Sequence, residues 1–190
     1  MSLDVLDWRR ETFALYRAVR AAPDPASGHA LWCERRQRLV STHPASPNRA
    51  SRLHHAPYDA AFRFEVEVEV DVEPQRLEIA TGTDGVVPFE RIGRVDLSGI
   101  GSLDLWWLES YGGGIWLPIR DGSTSTYGGG RYVLDTVKGA DLGGGGRRLT
   151  IDLNFAYNPS CAYAEEWACP LAPPGNVVEA DIPVGELLPD

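Results

Sequence analysis

The sequence is poor in the features that would place it in several common functional classes. Its only lysine is Lys138, and it has 3 cysteines among 190 residues. No apolar run is long enough to cross a bilayer, and the first residues do not form a basic, then apolar, then small-residue leader. A small, odd number of cysteines is typical of thiols that stay reduced. These absences predict a cytoplasmic protein.

An excess of positive charge is also missing. Lysine and arginine together number 18 and aspartate and glutamate 27, which gives a net charge of -9. Proteins that bind nucleic acid need a basic surface to displace counterions from the phosphates, and anionic membrane surfaces attract the same kind of surface. We therefore expect neither a nucleic-acid nor a membrane partner. The oligomeric state stays open, a homodimer included.

Signature motifs of familiar enzymes are absent too. The chain has no Gly-x-Ser-x-Gly elbow, no His-Glu-x-x-His and no dinucleotide fingerprint. Two Tyr-Gly-Gly-Gly segments, at residues 111–114 and 127–130, do not predict a phosphate site, because no helix start or Gly-Lys-Ser/Thr follows them. We interpret them as hairpin corners, with close approach to a flat ligand as the alternative. No motif names a cofactor.

The periodicity of apolar residues divides the chain into a helical start and a β-rich remainder. Apolar side chains recur at helical spacing over residues 3–21 and about 27–40, and prolines follow both stretches. Three prolines then interrupt residues 43–60. We therefore expect an N-terminal helical segment (residues 1–42), a linker (residues 43–60) and a β-barrel-like domain (residues 61–190).

The β-rich part begins with FRFEVEVEVDVE, from Phe62 to Glu73, whose strict alternation predicts a strand with one wet face. Six further β-rich runs follow between glycine-containing turns, namely LEIAT, RIGRVDL, LDLWWLE, IWLPI, RYVLDT and RLTIDL. The connections are too short for crossover helices, which excludes a parallel α/β fold. The spacing predicts a mainly β fold, a small antiparallel barrel or split-barrel-like sheet with an N-terminal helical pair.

Polar chemistry is concentrated between Leu117 and Asn176, in LPIRDGSTSTYGGGRYVLD and IDLNFAYNPSCAYAEEWACPLAPPGN. Glycines and prolines in these blocks fix loop geometry, and guanidinium groups bind carboxylates and phosphates. We therefore predict a pocket within residues 117–176 for a small polar or anionic ligand. The predicted ligand-binding residues are Arg120, Tyr127, Arg131, Tyr132, Asn154, Tyr157 and Asn158.

Other interpretations of the same segment remain open. An enzyme, hydrolase-like or a flavin-binding split barrel, would use Asp121 or Asp152 as general base and Arg131 to hold an anion. A non-catalytic interaction module would present the acidic face of the first strand to a basic partner. The arginines could also form buried ion pairs with neighbouring aspartates and serve only the structure.

The two cysteines near the C-terminus are candidate metal ligands. Seven residues separate Cys161 from Cys169, whereas a zinc knuckle has two to four. With His43 and one acid they could still complete a tetrahedral site. Structural thiols or a facultative disulfide is the competing interpretation. In each case we expect the two cysteines to lie near each other, because prolines anchor the loop between them at both ends.

These blocks also carry a resemblance to a known family. LPIRDGSTSTYGGGRYVLD, IDLNFAYNPSCAY and CPLAPPGN, with His-Pro-Ala-Ser-Pro at residues 43–47 and Val-Gly-Glu at residues 184–186, resemble the ordered motifs of the prokaryotic domain of unknown function 1684 family. The resemblance covers residues 40–186. The chain departs from the family pattern mainly at packing positions such as Ile119 and Leu153 and keeps the polar residues. The resemblance implies no known activity.

Overall fold

The computed structural model describes residues 2–47, 49, 52–82 and 85–189. Two helices open the chain, α1 (Ser2–Arg20) and α2 (Pro25–Thr42). The second begins at a proline because Asp24 caps it, with its Oδ1 accepting a hydrogen bond from the Ser27 N–H at 2.8 Å. Both predicted helices are therefore confirmed. No helix in the described residues is long and apolar enough to span a bilayer.

In the described residues, eight strands follow the helices: β1 (Arg63–Glu67), β2 (Arg76–Thr81), β3 (Gly85–Leu97), β4 (Gly101–Leu108), β5 (Gly114–Ile119), β6 (Arg131–Asp135), β7 (Gly144–Gly145) and β8 (Arg148–Asp152). They form two antiparallel sheets, one ordered β1-β8-β7 and the other β2-β3-β4-β5-β6. The mainly β, antiparallel architecture with an N-terminal helical pair is confirmed.

The predicted barrel, by contrast, does not close. Closure would need continuous ladders between the two sheets. Among the described residues, the contacts that approach this are isolated bridges, Glu69 with Arg94 and Tyr132 with Tyr157. The fold is therefore two antiparallel sheets rather than a small barrel.

The first strand is shorter than its sequence pattern predicts. β1 ends at Glu67, one residue before the Val68 N–H donates to the Arg147 carbonyl at 2.8 Å. Its partner β8 has only five residues, because the glycine-rich turn to β7 precedes it. Beyond Glu69 the described chain joins no ladder until β2. The alternating sequence therefore forms a strand only where a neighbouring strand is present to pair with it.

The main core lies between the helices and the sheets. Leu15 and Trp32 from the helices pack in one cluster with Leu103, Leu105 and Ile151 from the strands. The other face of the five-stranded sheet carries a second cluster, formed by Phe89, Trp106, Trp116 and Tyr132. Residues 159–172, which we call the cover segment, lie at this cluster, since the Tyr132 hydroxyl donates to the Pro170 carbonyl at 2.5 Å.

Candidate functional site

Arg131, at the start of β6, is completely buried. Its guanidinium donates to one carboxylate and three backbone carbonyls, Asp121 Oδ2 at 2.9 Å, Ile182 O at 3.0 Å, Glu186 O at 3.0 Å and Val184 O. Burial lowers the pKa of Arg131, and Asp121 opposes that effect. Arg131 therefore fixes the C-terminal residues against β6, and its guanidinium is closed to a dissolved ligand.

A second buried ion pair adjoins the first at Glu186. Arg36 Nε lies 2.6 Å from Glu186 Oε1, and Oε2 accepts from the Asn158 N–H at 2.6 Å and the Tyr163 hydroxyl at 2.9 Å. Burial disfavours the ionised carboxylate, but Arg36 and His55 outweigh it and lower the pKa of Glu186 to about 2. We call Arg36, Asp121, Arg131 and Glu186 the sealed network.

The other residues predicted to bind a ligand near Arg131 make structural contacts or face solvent. Tyr157 packs under the Arg36 guanidinium, 4.5 Å from its ring centroid. Asn158 donates from its amide nitrogen to the Leu187 carbonyl at 2.8 Å. Tyr127 contacts Cys161 Sγ through its hydroxyl at 3.8 Å. Arg120 is exposed. Tyr132 and Tyr157 pack against each other, with ring centroids 5.8 Å apart, so packing brings part of the predicted set together.

Cys161 and Cys169 do lie together. The Cys161 N–H donates to Cys169 Sγ at 3.3 Å. His43 lies elsewhere, with its Nε2 3.4 Å from Asp7 Oδ2 at the helical pair. Within residues 2–47, 49, 52–82 and 85–189, no group of three or more His, Cys, Asp or Glu side chains could hold a metal ion.

Asp152 and Asn154 belong to a separate region. Asp152, at the end of β8, lines a cleft of about 420 Å³ between the α1–α2 turn and the three-stranded sheet. Its polar lining consists of Arg20, Asp24, Arg63, Thr150 and Asp152, and Phe155 and Leu142 supply apolar wall. The β1–β8 register places Arg63 opposite Asp152, so their side chains share one face of the sheet. We call this region the Asp152 cleft.

The carboxyl group of Asp152 is buried, and its hydrogen bonds and its contact with Arg63 do not fully offset the cost of burying the charge. Its Oδ1 accepts from the Asn154 N–H at 3.1 Å and from Asn154 Nδ2 at 2.7 Å, and its Oδ2 accepts from the Tyr58 hydroxyl at 3.2 Å. Arg63 Nε is 3.9 Å from Oδ2. Burial raises the pKa of Asp152, and these hydrogen bonds and Arg63 reduce the rise without cancelling it. The carboxyl group therefore holds its proton to a higher pH than an ordinary aspartate.

The arginines of the cleft are partly open to solvent. Arg63 NH2 is 2.6 Å from Glu65 Oε1, and its side chain keeps 31% of its surface exposed. Arg20 donates to the Asp141 carbonyl from the opposite wall. Sequence reasoning missed both arginines and Tyr58, because it confined the site to residues 117–176. One signal was available, since Arg63 is the single base on the wet face of FRFEVEVEVDVE.

A histidine and a cysteine on α2 lie near the cleft but are chemically quiet. His29 Nε2 is 3.5 Å from Cys33 Sγ. Burial, then His55, lowers the pKa of His29 to about 4, while burial, then Glu186, raises the pKa of Cys33 to about 12. Both groups are therefore neutral at pH 7. A reactive thiolate–imidazolium pair needs the opposite shifts.

Comparison with known proteins identifies the family. A family model described as "Protein of unknown function (DUF1684)" matches residues 50–187, more than half of the chain. The chain belongs to this family. A family resemblance in the sequence is thereby confirmed, and the matched range includes Arg63 and Asp152 of the cleft and three residues of the sealed network.

Among solved structures, the chain is similar to an uncharacterized protein of Haloarcula marismortui determined by solution NMR. The two are 31% identical, and the match covers 81% of this chain and 89% of that chain with a TM-score of 0.55. A comparison with curated proteins finds no match. The similarities therefore fix the family and support the fold.

Proposed function

We propose that the protein binds a small polar molecule bearing a carboxylate or phosphate in the Asp152 cleft. The observation that carries this proposal is the pairing of a buried carboxyl group, whose pKa is raised by burial, with a partly exposed guanidinium, Arg63, across one face of the sheet. The proposal keeps the ligand class predicted from the sequence. It moves the site from the Arg131 side of residues 117–176 to the Asp152 side.

The cleft has the size and lining that small ligands require. Pockets for small molecules measure roughly 300 to 1,000 Å³ and combine apolar walls with a few polar groups. The Asp152 cleft, at about 420 Å³, lies at the lower end of that range. The sealed network, in contrast, directs its guanidinium groups at protein carbonyls and carboxylates. A ligand there would have to displace hydrogen bonds that are fully buried, whereas the Arg63–Glu65 contact of the cleft is partly exposed to solvent.

The guanidinium groups of the cleft favour a ligand that bears a negative charge. Arg20 and Arg63 supply two positive charges, and Asp24 supplies a negative one at the mouth, since its hydrogen bonds from Ser27 lower its pKa. Asp152 is easier to protonate than an ordinary aspartate, because burial raises its pKa. A guanidinium binds both oxygens of a carboxylate through two parallel hydrogen bonds.

The test is direct binding with matched variants. Thermal shift and calorimetry are run with acetate, lactate, glycine and inorganic phosphate. We expect at least one to bind, with affinity about tenfold weaker in Arg63→Gln, a loss of one good charged contact. Arg148→Gln is the control, because Arg148 is exposed on the neighbouring strand β8 and should leave binding unchanged.

The proposal fails if none of these compounds binds and native mass spectrometry of freshly purified protein shows no retained small molecule. It also fails if Arg63→Gln and Arg148→Gln weaken binding equally, because the effect would then come from general surface charge.

Acid–base catalysis on the bound molecule is a second candidate function. The raised pKa of Asp152 favours it, since a general acid works best with a pKa near the working pH. Asp152→Asn would then abolish turnover and leave Arg63-dependent binding in place. The interaction-module alternative has no comparable support, because Glu65, on the acidic face, is engaged by Arg63 and by the Thr150 hydroxyl at 3.0 Å.

A further inference from the structure

We propose that Cys161 and Cys169 form a reversible disulfide that fixes the cover segment over the aromatic face of the five-stranded sheet. The two cysteines are free and partly buried. They lie together, because the Cys161 backbone N–H donates to Cys169 Sγ at 3.3 Å. This pair is independent of the Asp152 cleft, so the inference does not rest on the proposed ligand.

The cover segment already holds the two thiols in place. The Tyr163 hydroxyl donates to Glu186 Oε2 at 2.9 Å, two residues after Cys161. On the other side of the loop, the Ala168 carbonyl accepts from the Gly82 N–H at 3.1 Å. Hydrogen bonds on both sides of the loop restrict its motion before the disulfide forms. The ordering that a disulfide requires is therefore largely present in the reduced protein.

The position of the pair gives the bond a structural consequence. The Pro170 carbonyl, next to Cys169, accepts from the Tyr132 hydroxyl of the second cluster. Tyr132 in turn packs edge-on against Trp116, with ring centroids 5.5 Å apart. A covalent link at Cys169 therefore limits the separation of the cover segment from this aromatic face.

The oxidant that we assign is a peroxide. One cysteine, as thiolate, attacks a peroxide oxygen, the O–O bond breaks, and a sulfenic acid and an alcohol or water result. The second thiol attacks the sulfenic sulfur, the S–S bond forms, the S–O bond breaks and water leaves. Two electrons pass from the thiols to the peroxide, and both thiol protons end in the products. A dithiol reverses the reaction by exchange.

The surroundings of the thiols argue for a slow, structural bond rather than a catalytic one. Burial raises the pKa of Cys169, so little thiolate is present at neutral pH and attack on peroxide is slow. Exposed Glu165 and Glu166 lie within the loop between the cysteines. Protein disulfides of this kind stabilise chiefly by restricting the unfolded chain.

The test is peroxide titration of the reduced protein, followed by thiol blocking and mass spectrometry. We expect a mass loss of about 2 Da, the two thiol hydrogens, a linked peptide that joins Cys161 to Cys169, and labelling at Cys33 only. Dithiothreitol should restore all three thiols. The melting temperature of the oxidised form should be higher by roughly 5 °C.

Variants separate this pair from the remaining thiol. Cys33→Ser should keep both the mass loss and the rise in melting temperature, whereas Cys169→Ala should lose both. The proposal is overturned if peroxide produces separate sulfinic acids on Cys161 and Cys169, a bond to Cys33, or only disulfide-linked dimers. Because the mass measurement uses the unmodified chain, a variant that fails to fold leaves the proposal falsifiable.

Discussion

The sealed network and the Asp152 cleft each place an acid beside an arginine, with opposite results. In the sealed network, Arg131 is 2.9 Å from Asp121, and Arg36 is 2.6 Å from Glu186. In the cleft, Arg63 remains 3.9 Å from Asp152. Burial acts against the charged form of each carboxylate. It is outweighed at Glu186, whose pKa falls, and it prevails at Asp152, whose pKa rises.

The difference indicates which of the two regions can bind a ligand. A buried carboxylate that is fully paired stays ionised and rigid, so it stabilises the chain and offers nothing to a ligand. A buried carboxyl group with partial compensation, such as Asp152, is easier to protonate, and here it borders open volume, which is the arrangement that binding and acid–base sites share. Both kinds of group occur here within residues 117–186, the segment richest in polar residues.

The largest expected effect is that of Arg131→Lys. A lysine ammonium cannot contact Asp121 and the three carbonyls at the same time, because it lacks the planar guanidinium. The substitution therefore breaks some of the buried contacts of Arg131. We expect the free energy of unfolding to fall by about 3 kcal/mol. Urea denaturation followed by tryptophan fluorescence measures this fall.

The matched control is Arg148→Lys, at an exposed position of β8, which should change the unfolding free energy by less than about 0.5 kcal/mol. If Arg131→Lys were equally mild, Arg131 would not be a structural residue, and the first site predicted from the sequence would return to consideration.

The next largest effect is the loss of stability at acidic pH. The folded-state pKa of Glu186 is about 2, below its ordinary value of 4.5. Its contribution to stability is therefore complete above pH 4.5 and is lost as the pH falls toward 2. The shift corresponds to about 3 kcal/mol. Unfolding free energies measured from pH 5 to pH 2 should show this loss, and a profile that stays level would contradict the sealed assignment.

The sequence predicted the elements well and the contacts poorly, for reasons that Arg131 and Glu186 illustrate. Helix spacing, strand alternation and turns are local, so α1, α2 and most strands follow from short stretches. Three of the four partners of Arg131 come from residues 182–186, some fifty residues away, and Arg36 pairs across 150 positions with Glu186. No periodicity encodes such distances. For the same reason, Arg63 and Tyr58 escaped the predicted site although Asp152 and Asn154 were included.

A smaller effect should appear at milder pH, where His29 links the two regions. Its ring centroid is 5.6 Å from that of Tyr58, whose hydroxyl donates to Asp152 of the cleft. Its pKa is lowered from 6.5 to about 4, so the fold favours neutral imidazole. Stability should be complete above pH 6.5 and fall as the pH drops toward 4, by at most about 3 kcal/mol. His29→Gln, which does not titrate, should flatten the profile between these limits, and an unaltered slope would assign the loss to other groups.

The smallest expected effect belongs to Asp152→Asn, and it is the sharpest test of the comparison. The folded-state pKa of Asp152 is raised, so its contribution to stability is most favourable at low pH and is lost as the pH rises through that pKa. An asparagine can accept from Asn154 through Oδ1 and can donate to the Tyr58 hydroxyl, so the local bonds survive.

At pH 7 we therefore expect Asp152→Asn to be at least as stable as the natural sequence, within about 1 kcal/mol, with the difference shifting toward the natural sequence as the pH falls. Urea denaturation at pH 7 and pH 5 measures both. A loss of several kcal/mol at pH 7 would show that Arg63 holds Asp152 as firmly as Arg36 holds Glu186. The cleft would then be a second sealed pair, and its carboxyl group would have no proton to offer a ligand.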